Sequence, residues 1–309
     1  MNFTSIFLQV LSLFLIILVG YVVRKRKIVG STLKKDLAEL IFYITLPALI
    51  LASILSSAEL YNSVSDIFII ILLSLLSYLV AFLIAFIYPK IMKTDEKNVG
   101  VYQFLLTFAN VGFMGYPIVT VLFGAEMLFY AIIFVMPFNV IVFTLGVYYM
   151  TKGNSKVKVN LKTILNPGLL AVILALLLNF MNIKFSNTIL NTVDIIGGLT
   201  TPLSMMMIGL SLASTKILSA FTNLKLYIVI LFRLLIFPFI IYFIYNNFNI
   251  SLDILKVGVI LAAMPGAATA VIVAEKYECN SALASQGVVL STLLSMFTIP
   301  IVALFLLQL

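Results

Sequence analysis

Ala262-Ala263-Met264-Pro265-Gly266-Ala267-Ala268-Thr269 interrupts an apolar run that is otherwise long enough to cross a membrane. Proline has no N–H to give and its ring clashes with the preceding turn, so a helix breaks here. At bilayer depth such a break leaves backbone groups unpaired, which is tolerated only where protein or a watered cavity surrounds it. The first half of the chain carries a counterpart, Asn110-Val111-Gly112-Phe113-Met114-Gly115-Tyr116-Pro117, again in mid-span. Two interrupted spans in corresponding positions of two halves point to the binding site of a secondary transporter.

Composition sets the frame around these breaks. The 309 residues are 63% hydrophobic and 10% charged, with mean hydropathy +1.22, which is a polytopic membrane composition. The net charge of +8 does not indicate nucleic acid, because the basic residues sit in short loops between apolar runs. Cys279 is the only cysteine, so neither an intrachain disulfide nor a thiolate metal site is expected. The chain has no His, the commonest metal ligand and general base. No metal, cofactor or nucleic-acid partner is expected.

A span needs about 20 apolar residues. Ten segments qualify: 3–23, 36–55, 66–88, 98–122, 126–150, 163–181, 191–213, 224–246, 253–275 and 282–308. The first has no basic residue ahead of it and runs directly into Arg24-Lys25-Arg26-Lys27, so it is expected to be a retained helix rather than a signal peptide. All of the 19 basic residues except Lys184, Lys256 and Arg233 fall in alternate loops or at their edges. The positive-inside rule then places both termini outside a multi-pass plasma or inner membrane protein.

The ten spans divide into two sets of five. Thr45-Leu46-Pro47 in span 2 is matched by Thr200-Thr201-Pro202 in span 7, the break in span 4 by that in span 9, and Pro137 by Pro300. Because five is odd, the second set enters the membrane in the opposite sense. The expected fold is an all-α membrane protein with ten transmembrane helices in a 5+5 inverted repeat. Residues 1–150 form the first repeat, 151–162 a cytoplasmic linker and 163–309 the second repeat.

The chemistry follows from the breaks. Proline suits the first turn of a helix, so Pro265 is expected to start a half-helix with Gly266, Ala267 and Ala268 presenting free N–H groups. Pro117 is expected to do the same in span 4. A helix N-terminus carries roughly half a positive charge, and two meeting at mid-membrane suit an anion. Asn110 adds an amide that can donate to a carboxylate. The competing reading is that both prolines only kink helices for packing, with small residues at the contacts.

Arg233 is the one basic residue near the centre of a span. It is expected either to act on an anion electrostatically or to fix a helix bundle by bonding to carbonyls. Every acidic residue falls in a loop or near a span end, so no buried carboxylate relay is visible. Among other polar residues within spans, Asn139 and Gln286 are further ligand candidates, whereas Ser204, Ser291, Ser295 and Thr298 are expected to bond to backbone or a neighbouring helix. The candidate substrate-binding set is Asn110, Gly112, Gly115, Pro117, Pro265, Gly266, Ala267, Asn139 and Gln286.

These motifs resemble the auxin efflux carrier family, which includes plant PIN auxin exporters and bacterial permeases associated with malate and malonate. The likeness is carried by Met264-Pro265-Gly266, Ala274-Glu275-Lys276-Tyr277 and Thr298-Ile299-Pro300, and by Asn110, Met114, Gly115, Pro117 and Gly124. Weaker likeness covers Pro47, the Met-rich segment before Gly209, and Arg233 with Pro238. The resemblance implies a ten-helix fold like that of bile-acid symporters and sodium/proton antiporters, with spans 4 and 9 crossing at their prolines. It implies a scaffold of spans 1, 2, 6 and 7, a transport domain of spans 3–5 and 8–10, and a homodimer. Carried onto this chain, Asn110, Pro117 and Pro265 would line a carboxylate site. The short 151–162 linker is similar to that of the bacterial members rather than to the long loop of the plant exporters.

The expected function is secondary transport of small organic anions, such as malate, malonate or auxin-like carboxylates, by elevator-type alternating access. Proton or sodium coupling remains open to it. The alternatives are an uncoupled facilitator or channel, or a membrane sensor of small metabolites. An intramembrane enzyme would need a nucleophile–base pair or metal ligands that these spans lack.

Overall fold

The computed structural model describes residues 3–30, 32–56, 64–151, 167–181, 183, 185–213 and 223–308. Residues 152–162 of the expected linker, and Lys184 and Lys216, lie outside them. The described chain is helical throughout, apart from one isolated β-bridge.

The first half runs α1 (Phe3–Lys25), α2 (Leu33–Leu40), α3 (Leu46–Ser56), α4 (Val64–Ile91), α5 (Glu96–Thr107), α6 (Tyr116–Phe123), α7 (Leu128–Ile141) and α8 (Val147–Thr151). The second runs α9 (Pro167–Phe180), α10 (Asn187–Gly198), α11 (Thr200–Ala213), α12 (Leu224–Leu231), α13 (Phe237–Tyr245), α14 (Leu252–Ala262), α15 (Thr269–Lys276) and α16 (Ser281–Leu307). Among the described residues six continuous helical stretches are long and apolar enough to cross a membrane, or seven if the bent α7–α8 pair counts as one. The other expected spans fall on the two broken segments, α5–α6 and α14–α15, and on α9.

Four wide π turns sit within these helices, at Ile41–Thr45, Val111–Gly115, Val142–Gly146 and Phe232–Ile236. Three of them end two residues before a proline: Pro47, Pro117 and Pro238. A proline ring crowds the carbonyl one turn back and offers it no N–H. Widening that turn relieves the crowding without ending the helix.

Helix packing falls into two groups that meet along α1 and α16. In one, α1 lies along α11 and α3 packs on α9 and α10. Small residues set the separation: a Cβ added at Gly209 or Gly20 would collide with the backbone of Ile17 or Met206, and one added at Gly197 with that of Leu49. In the other group α4 packs on α5 and α7, α13 on α14, and α15 and α5 on α16. Tyr245 of α13 ties this group to α4, donating to the Leu73 carbonyl at 2.6 Å and sharing a hydrogen bond with Ser77 at 2.7 Å. Outside, α4 exposes Phe68, Leu72, Leu79, Leu83 and Phe86. Such a stripe would drive association in water, and in a bilayer it faces lipid.

Several loops gather at one end of the molecule. Lys225 Nζ donates to the Lys93 carbonyl at 2.8 Å, Tyr88 donates to the Lys225 carbonyl, and Asn280 donates to Asn98. This end also carries Lys90, Lys97 and Lys276.

Candidate functional site

The two interrupted segments meet. α5 ends at Thr107 and α14 at Ala262, and the extended backbones beyond them pair antiparallel through Ala109 and Gly266. Asn110 N–H donates to the Pro265 carbonyl at 2.7 Å, and Ala267 N–H donates to the Phe108 carbonyl at 2.9 Å. Gly266 N–H donates to Ser291 Oγ of α16 at 3.0 Å, while that hydroxyl donates to the Val288 carbonyl. An unpaired backbone group in an apolar interior costs several kcal/mol, about 2–7. This exchange satisfies the N–H groups of Asn110, Gly266 and Ala267.

Both half-helices start differently from the sequence expectation. After the crossing, the first begins at Val111 with Asn110 at its N-cap position, and Pro117 lies six residues further on. The widened turn Val111–Gly115 is what lets helix begin ahead of the proline, because Met114 and Gly115 N–H both reach the Asn110 carbonyl. The second begins at Thr269 rather than at Pro265. Gly266 and Ala267, expected to present free N–H groups, spend them on Ser291 and Phe108. At the two helix starts, the N–H groups of Val111, Gly112 and Phe113 and those of Ala268 and Thr269 have no partner among the described residues.

All five of those residues border one cavity of about 130 Å³, together with Asn110. Ile50, Ile132, Val135, Phe138 and Val172 supply much of its remaining wall, and among the described residues no charged side chain lines it. Asn110 is 5% exposed and also borders a second, smaller cavity of about 30 Å³. It is therefore the polar partition between the two.

The other sequence candidates are distributed around this point. Gly112 and Ala267 line the larger cavity, and a Cβ added at Gly112 would meet nothing. Gly115 is buried against Leu261, Pro117 is buried within α6, and Pro265 serves through its carbonyl. Gly266 packs its α-carbon towards Leu105 and Ser291. None of these four lines either cavity, nor does Gln286 on α16. The side chain of Asn139, on α7, lies outside the described residues. Ser291, expected to bond to backbone or a neighbouring helix, does so: it accepts from the Gly266 amide and donates to Val288.

Arg233 lies in the π turn Phe232–Ile236, 4% exposed, and is the one charged residue buried among those described. Its Nη1 donates to the Leu106 carbonyl at 3.2 Å, its guanidinium stacks over Phe237 at 4.5 Å, and its Nε has no partner. Leu106 is in the last turn of α5, where unpaired carbonyls concentrate negative partial charge. A small pocket places Arg233 beside Thr107, Leu261 and Ala262, so it stands by the C-terminal ends of both half-helices. The negative ends thus have a cation beside them, and the positive ends face the cavity.

A helical protein crossed repeatedly by apolar helices, with two of them broken and paired around a cavity, belongs to the class of membrane transporters. The family model described as "Membrane transport protein" matches residues 5–303. The chain belongs to this family, the auxin efflux carrier family that its motifs resemble. It is 25% identical over 300 residues to a protein of Methanothermobacter thermautotrophicus described as an uncharacterized transporter, covering 94% of this chain and 95% of that one. It is 26% identical over 299 residues to a protein of Methanocaldococcus jannaschii with the same description, again with 94% and 95% covered.

Proposed function

We propose that this transporter carries small organic anions, with the carboxylate at Asn110 and the two helix starts and the rest of the substrate in the larger cavity. One observation carries the reading: the unpaired N–H groups of two helix starts and a buried amide border the same space. Preorganised backbone donors bind anions without further charge. The size and wall of the cavity narrow the class. An apolar cavity of roughly 150 Å³ takes a benzene-sized guest, and this one is about 130 Å³ with an uncharged lining. A monocarboxylate with a small apolar body fits it better than a malate-like dicarboxylate, whose second charge would be buried without a partner there.

The packing groups support a moving-body mechanism. The group built on α1, α3, α9, α10 and α11 corresponds to the scaffold that the family resemblance implies, and the group holding the crossing to the transport domain. The cavity wall draws on both, through Ile50 and Val172 on one side and Val135 and Thr269 on the other. Sliding one group against the other carries an intact site across the bilayer, with both termini outside and the basic loops in the cytoplasm.

Uptake of labelled four- to eight-carbon monocarboxylates into proteoliposomes tests the function. Saturable uptake that a second monocarboxylate inhibits is expected. Flux that rises linearly with concentration would identify a channel, and binding without flux a sensor.

A further inference from the structure

The smaller cavity holds a charge that the reading of the crossing does not use. α2 is amphipathic: Leu37 and, one turn beyond it, Ile41 bury one stripe against Met207 and Leu210. Lys34 lies one turn ahead of Leu37 in the same phase, by its spacing of three and seven residues from Leu37 and Ile41, and is exposed at the edge of that stripe. Its neighbour Lys35 turns outward and pairs with Glu39 at 3.7 Å. Lys34 forms no salt bridge among the described residues. Instead it borders the cavity of about 30 Å³, with Ser211 of α11, Ser285 and Thr292 of α16, and Asn110. That volume holds roughly two water-sized groups, the room needed by two carboxylate oxygens.

Resting on the anion reading of the crossing, we propose that Lys34 supplies the positive charge of the carboxylate site. Asn110 separates the two cavities, so a carboxylate seated there has its apolar body on one side and the Lys34 stem on the other. A four-carbon stem lets the ammonium travel towards the ligand while its helix stays packed.

The test is equilibrium binding of a panel of four- to eight-carbon monocarboxylates and their neutral amides to the purified full-length protein and its variants. Lys34→Gln is expected to weaken acid binding by about tenfold or more, the loss of one charge-assisted contact, and to leave amide binding unchanged. Lys34→Arg should restore acid binding to within about threefold by keeping the charge. Unchanged acid affinity in folded Lys34→Gln would overturn the assignment while leaving the anion site standing. If Lys34→Gln does not fold, Lys34→Met, which keeps the apolar stem without the charge, decides: unchanged acid binding overturns the proposal. Wild-type protein that binds amides and no acid would instead overturn the anion site itself.

Discussion

Two glycines separate the roles of small residues at this crossing. Gly112 opens on the larger cavity, where an added methyl meets nothing. Gly209 lies against the Ile17 carbonyl, where it would collide with backbone. Gly112→Ala is therefore expected to keep wild-type thermal stability and to change ligand affinity, whereas Gly209→Ala should lose about 1–3 kcal/mol by overpacking. A melting comparison in detergent checks both. Arg233 poses the same question for charge. It touches the end of α5 and neither of the cavities that Asn110 borders. Arg233→Met should lower stability by about 1–3 kcal/mol, the cost of one orphaned buried acceptor, while carboxylate affinity stays within about threefold. A large loss of affinity in a stable variant would make Arg233 a substrate contact.

At the scale of elements, much of the crossing was legible because proline and glycine are rare punctuation inside apolar runs. Pro265 and Asn110 marked both interrupted segments, and these are the residues that exchange a hydrogen bond. What stayed hidden was register. Nothing local says that Ala267 N–H reaches Phe108, since that pairing joins segments more than 150 residues apart and is fixed by how the helices pack. The helix starts were misplaced for a related reason. A wide turn at Val111–Gly115 accommodates Pro117 inside a helix, so proline marked the strain and not the end. The recurrence of such turns before Pro47, Pro117 and Pro238 is a signal that the prolines alone carried. Lys34 was legible too, as a lysine in phase with Leu37 and Ile41, but loop charge counting absorbed it. Pro265→Ala tests the element directly. An added N–H lets α14 continue towards the crossing and compete with its pairing. Transport is expected to fall by roughly tenfold or more, a barrier change near 1.4 kcal/mol, with little change in melting temperature. Full activity would mean that the break does not depend on the proline.

For the whole molecule, the apolar, all-helical character followed from composition, because lipid demands long apolar helices and permits little else. The relative motion of helix groups does not follow from any local pattern, since it depends on which interfaces are tight. Ser211 of α11 and Ser285 of α16 border the smaller cavity from opposite groups. With Cys279 replaced by Ser, the pair Ser211→Cys and Ser285→Cys should stop transport when bridged by a short thiol cross-linker and recover on its removal. Unimpaired transport in the bridged protein would mean that the two groups do not slide past one another there.

The central claim is that a carboxylate binds at the crossing, and thermal stabilisation of the purified protein tests it most directly. A ligand that binds the native state raises the melting temperature by mass action, about 2.7 kcal/mol at a hundredfold excess over Kd. Monocarboxylates with a small apolar body should stabilise the wild type, and Asn110→Ala, melting near the wild-type temperature without ligand, should lose that response. Stabilisation by neutral or cationic compounds alone, or a carboxylate response that survives in Asn110→Ala, would contradict the account.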